Sequence, residues 1–355
     1  MSSDVLAIAR AKDVALEQAR FRIGGYEFRG PDHRQILRWA EVLGRSPEDV
    51  VDTLVGTRIA NSFVSPTKFS VVDGCLLSLA WDFRILPMAE FDWEEGLCIH
   101  TLAFRSNPPS QCLPGPPSTS LQTLVCKYMS LAELNLSGAP RLTKLSCDGN
   151  QLTQLDLSGV LVLAELCCEK NQLTELDLSG VQRLKKLSCG GNQLTELDLS
   201  GVPMLTSLVC WKNPLTELDL SGVRELTRLW CSFSSLTELD LSGVPKLMSL
   251  YCSNNQVNEM DLSSVPGLTE LSCGRNQLTE LDLSGVPELK WLWCSSNNLT
   301  ELDLSGVPKL TRLDCSDNPL TELDIRPLKH LESLKAGANI RIIGTPSDDL
   351  EIERN

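Results

Sequence analysis

The side chains in this sequence with the greatest capacity for chemistry are its cysteines, and their spacing argues against a reactive role. Fourteen are present, and ten recur at an interval of 21 residues: Cys126, Cys147, Cys168, Cys189, Cys210, Cys231, Cys252, Cys273, Cys294 and Cys315. A reactive thiolate needs an exposed, electropositive setting, and a zinc site needs thiols or imidazoles at short spacings. The chain has no C-x-x-C, and its three histidines, His33, His100 and His330, are scattered. Neither a metal centre nor a nucleophile–base pair follows from that pattern, and no cofactor is expected. A strict column of thiols reads instead as a small apolar rank inside a repeating fold. Cys167, beside Cys168 and out of the column, is the one repeat thiol expected to be accessible.

Charge is arranged in columns as well. Glu175, Glu196, Glu217, Glu238, Glu259, Glu280, Glu301 and Glu322 share one register, and Asp156, Asp177, Asp198, Asp219, Asp240, Asp261, Asp282, Asp303 and Asp324 share another. Like charges about 5 Å apart in water repel by a little under 1 kcal/mol. A solvated stripe is the plain reading of these columns, and a structural or cation-binding surface is the alternative. The net charge of −14 argues against a nucleic acid or an anionic membrane as partner. No apolar run is long enough to cross a bilayer. The opening stretch MSSDVLAIARAKDVALEQARFR has no basic region leading into an apolar one. A cytoplasmic location with reduced thiols is therefore expected.

These columns need elements that hold them in register. Each unit reads L-x-x-L-x-C-x-x-N followed by L-x-x-L-x-L-S-G, as in residues 289–306. Alternation in L-x-C turns both flanking side chains inward and the middle one outward. The unit therefore predicts a strand, stacked on its neighbours at about 4.7–4.9 Å. The asparagine three residues after each cysteine is suited to pairing backbone groups at a turn. The Ser-Gly-Val-Pro corner, as at Ser305 to Pro308, supplies turn residues. Phe104 and Ala336 stand in the cysteine register as degenerate end copies, giving about twelve rungs.

The string L-x-x-L-x-C-x-x-N-x-L resembles the conserved segment of leucine-rich repeats. With L-T-E-L-D-L-S-G after it, the unit is similar to the nested, irregular (IRREKO-type) 21-residue bacterial subclass. The resemblance spans residues 99–343. It implies a mainly β, right-handed solenoid with parallel sheets, and an extended opposite side implies a relatively straight one. It also implies a bacterial origin, with delivery into a host cell as an effector as one route to function. Some bacterial leucine-rich-repeat effectors are ubiquitin ligases with a catalytic C-x-D motif, and Cys315-Ser316-Asp317 is similar by letter. Its cysteine lies in the inward register and the chain has no room for the separate catalytic domain, so no enzyme is expected.

One half of the unit is copied almost unchanged while the other varies. The varied positions collect Trp211, Trp230, Phe233, Tyr251, Arg275, Trp291, Trp293 and Arg312. Aromatics flanked by arginine and lysine have the composition of a binding hot spot. The expectation is a scaffold that recognises a protein partner through the L-x-x-L-x-C strand face. Its anchors are expected as two clusters about three rungs, or roughly 15 Å, apart.

Before the repeats, residues 1–61 read as a helical region. Two amphipathic helices within 31–56 join at Gly44, with Ser46 as N-cap and Pro47 opening the second. Residues 62–98 contain a predicted hairpin about Asp73-Gly74, residues 106–120 a proline-rich loop, and residues 344–355 an acidic tail.

Overall fold

The computed structural model describes residues 20–23, 26–56, 70–72, 75–82, 99, 101–105, 112–113, 120–344 and 350–354. The prolines of the 106–120 loop and the Asp73-Gly74 turn lie outside these residues. The fold is a parallel-sheet solenoid of about 11 turns with little helix. It divides into two compact units, Met1–Gln172 and Leu173–Asn355.

The first unit begins with an antiparallel pair, Arg20–Ile23 and Tyr26–Arg29, packed on the helix Gly30–Leu43. Gly44 ends that helix at φ 63, and its N–H reaches back to the Ala40 and Glu41 carbonyls. The left-handed conformation is one that glycine adopts without penalty. Ser46 caps the second helix, Pro47–Gly56, by accepting the Asp49 N–H at 3.1 Å. The two helices form the cap that a solenoid needs at an otherwise exposed apolar end. Ser70–Val72 and Cys75–Asp82 then pair antiparallel, with Val72 opposite Cys75. From there the pairing is parallel through Thr101–Arg105, Thr123–Val125, Lys144–Ser146 and Glu165–Cys167.

The second unit continues the pattern in three-residue strands from Lys186–Ser188 to Arg312–Asp314, then Ser333–Ala336. Phe104 and Ala336 occupy the cysteine register and are buried. Part of the stretch expected as a tail, Glu351–Arg354, adds a further parallel strand beside Ser333–Ala336.

Three ranks explain why these residues make these rungs. The repeat leucines and valines, and all ten column cysteines, are buried. The asparagines stitch each rung to the one before it. Asn255 accepts the Leu236 N–H at 3.1 Å and donates to the Cys231 and Cys252 carbonyls at 3.0 and 2.9 Å. The corner glycines serve a purpose the turn signal alone did not indicate. A Cβ on Gly243 would lie 2.7 Å from the Leu220 carbonyl oxygen and 2.8 Å from Ser221 Cα. Only a residue without a side chain lets consecutive backbones stack that closely.

The constant half is extended but mostly unpaired. Among the described residues strands form there only at the two ends, where Cys112–Leu113 pairs with Glu133–Leu134 and Glu322–Asp324 with Arg341–Ile343. Each aspartate of that column accepts the N–H of the residue two positions on, as Asp219 does from Ser221 at 2.8 Å. That local turn takes the donor a sheet would need. The aspartate column therefore shapes the corner.

An acid limb follows from it. Hydrogen bonds from the following serine hold Asp177, Asp198, Asp219, Asp240, Asp261, Asp282 and Asp303 below the usual carboxylate range. A depressed folded pKa adds stability that is complete above the unfolded value, about 3.9, and is lost as pH falls through the folded values. Melting temperature is expected to drop below about pH 4. Asp219→Asn/Asp240→Asn keeps the acceptor without the titration and should show a shallower drop. An unchanged slope would refute the assignment.

Candidate functional site

The varied half of the rung presents its side chains on the outer face of the parallel sheet and on the turn after it. In the second unit these side chains form one connected aromatic strip. Trp230 meets Tyr251 edge-on at 5.1 Å, Tyr251 stacks on Trp293 at 6.4 Å, and Trp293 meets Trp291 edge-on at 5.8 Å. The Arg312 guanidinium lies 5.3 Å over the Trp291 ring, within the range of a cation–π contact. The two clusters expected from spacing are therefore one.

Tyr251 makes the join, reaching past the intervening rung to Trp293. That rung carries Ser272, whose hydroxyl is 2.8 Å from the Ser253 hydroxyl. So small a side chain leaves the space that the two rings fill. Tyr251 is fixed by donating its hydroxyl to Glu270 Oε2 at 2.5 Å. Burial and that bond push its pKa up to about 12. Glu270 was missed in the sequence, although it stands in the same register as Arg228 and Arg312.

Other expected anchors lie outside the strip. Trp211 rests on the preceding rung, where a Cβ on Gly190 would fall 2.4 Å from its Nε1. Phe233 and Arg275 project from the turn after the strand at φ 58 and 54. Phe233 is 59% exposed and Trp230 45%. A large side chain in the left-handed region costs on the order of 1 kcal/mol. The same turn departs from the asparagine rule, since Ser234 replaces the asparagine. Its hydroxyl is buried with no hydrogen-bond partner among the described residues.

The expectation for Cys167 is overturned. It is 8% exposed, because Lys127 and Asp148 form an ion pair at 2.7 Å beside it. Burial, then Asp148, raises its thiol to about 11. Cys315, in the C-x-D match, is fully buried with its thiol raised to about 12, chiefly by burial. All eleven described free cysteines are buried. Native protein at pH 8 is expected to leave these eleven unlabelled by a maleimide until denatured. Rapid labelling of Cys167 or Cys315, mapped by peptide mass, would contradict this burial.

The acidic columns flank a shallow groove floored by Leu197 and Leu218 and continued past Met260. No group of three or more His, Cys, Asp or Glu among the described residues is placed to hold a metal ion.

The family model for leucine-rich repeats (two copies) matches residues 287–330. The solenoid described above is a leucine-rich-repeat fold. The chain is similar to the functional domain of InlJ from Listeria monocytogenes, described as including a cysteine ladder. The two are 38% identical over 66% of this chain and 54% of that one, with a TM-score of 0.63. This chain thus spans about half of that structure's length. The internalin InlF from the same species shares the fold at 16% identity, covering 91% of this chain and 94% of that one, TM-score 0.65. YopM from Yersinia enterocolitica is 25% identical over 76% of this chain and 61% of that one, TM-score 0.60. No curated protein matches.

Proposed function

We propose that this protein is a non-enzymatic recognition scaffold of the irregular 21-residue bacterial subclass, binding a protein partner through the aromatic strip. The observation that carries this reading is the connected run Trp230–Tyr251–Trp293–Trp291 capped by Arg312. Large, preorganised aromatic area beside arginine is where binding energy concentrates in protein interfaces. Ser234 supports the reading further. The one break in the asparagine ladder of the second unit lies beside the exposed Phe233, and departures from a local rule cluster at functional positions. Trp211 and Arg275 extend the face at its margins.

The experiment is capture of partners on immobilised protein from host and bacterial lysates, comparing wild type with Trp230→Ala/Trp293→Ala. The double variant is expected to fold, as judged by circular dichroism, and to lose the specific partner. Loss of two hot-spot aromatics weakens binding by about 2 kcal/mol or more each, over a hundredfold together. Equal capture by both proteins would end the proposal.

A further inference from the structure

Resting on that reading, we infer that the strip's occupant is an acidic, extended segment of another protein, with large apolar side chains between its carboxylates. In the second unit Lys212, Arg228, Arg275, Lys290 and Arg312 surround the aromatics and are exposed. None of the five forms an ion pair among the described residues. In a chain of net charge −14, five cations left without carboxylates on one face are an asymmetry that needs a cause.

Acids on the same face are already engaged. Glu270 accepts the Tyr251 hydroxyl, Asp314 accepts the Ser316 N–H and hydroxyl at 3.1 and 2.6 Å, and Asp317 accepts the Ser296 hydroxyl at 3.3 Å. The face therefore offers rings together with five unpaired cations against three carboxylates, Glu270, Asp314 and Asp317, so its balance of charge is positive. Such a surface is complementary to carboxylates interleaved with apolar groups.

The charge also sets a limit on the site. Past Arg312 the sheet carries Glu332, Glu351 and Glu353 around Lys335, which pairs with Glu353 at 3.4 Å. An acidic segment is repelled there and ends near Arg312. From Lys212 to Arg312 is five rungs by register, about 24 Å at strand spacing, which an extended segment of about seven residues covers.

The test uses a fluorescent seven-residue peptide alternating glutamate with tryptophan and leucine, its lysine counterpart, and an oligouridylate. Anisotropy is read at about 50 and about 300 mM salt. The acidic peptide is expected to bind at least tenfold tighter than the lysine peptide and to weaken at the higher salt. Arg275→Glu/Arg312→Glu is expected to lose at least tenfold with its circular dichroism unchanged. Failure of the acidic peptide to bind, equal binding of both peptides, binding unaffected by charge reversal, or tighter binding of the oligouridylate would each overturn the inference. If Trp230→Ala/Trp293→Ala alone abolishes partner capture while charge reversal does not, the recognition face stands and the acidic partner falls. If neither variant matters, both fall.

Discussion

Replacing Lys127 with alanine is expected to destabilise the protein by about 3–5 kcal/mol, the usual cost of stranding one member of a buried ion pair. The Lys127 and Asp148 side chains are only 11% and 9% exposed and their charges are 2.7 Å apart. Asp148 also accepts the Glu169 N–H at 3.0 Å. Without the ammonium, its carboxylate stays beneath the sheet surface with one backbone donor to offset lost hydration. Removing both charges is a different perturbation. Lys127→Met/Asp148→Leu is expected to fall within about 1 kcal/mol of wild type, because apolar replacements of buried pairs are often neutral or stabilising. Urea midpoints at constant slope measure both. A Lys127→Ala loss below about 1 kcal/mol would mean that water reaches the pair.

Asn276→Ala is expected to cost a similar amount. Asn276 accepts the Val257 N–H at 3.1 Å and donates to the Cys252 and Cys273 carbonyls at 3.1 and 3.0 Å, all inside the protein. Each buried group left unmade costs about 1–3 kcal/mol, so the sum is on the order of 3–5. The reverse change exists in the native sequence. Ser234→Asn would place a carboxamide where the hydroxyl is now unbonded and return an acceptor to the Leu215 N–H. A gain of about 1–3 kcal/mol is expected. If that variant is no more stable than wild type, the turn carrying Phe233 does not leave room for the ladder.

Much of this architecture was readable beforehand because repetition turns position into structure. Nearly every leucine, cysteine and asparagine of the repeat meets its own kind in the next rung, so a run of 21-residue intervals implies a stack. Ser46 and Gly44 were readable for a related reason, since capping is local and the residue types are few. What escaped was which contacts form within the varied columns. Lys127 and Asp148 each follow a column cysteine and stand 21 residues apart, so spacing makes them neighbours, but it does not report that the pair is buried. Cys167 was placed outward by strand alternation, which is sound, but alternation does not report what lies over a side chain. The strip was expected in two pieces because register assigns each residue to its own rung, whereas Tyr251 leans past Ser272 to the next aromatic. Glycine in the corner was recognised as a turn residue, yet its column is required by the carbonyl stacked against it.

The asparagine rank has a direction. Within each unit, every asparagine side chain described reaches toward the preceding rung: Asn297 to the Leu278 N–H and Cys273 carbonyl, Asn318 to Leu299 and Cys294. None of these bonds points forward. A rung's polar groups are completed only when its successor arrives, so a chain leaving the ribosome closes each turn with the next one made. Trimming rungs from the C-terminal side would leave the new last rung with unmet amides and carbonyls. Trimming from the other side would leave the asparagine facing water, together with amides such as those of Thr206 and Ser207 that donate to the Lys185 carbonyl of the preceding rung.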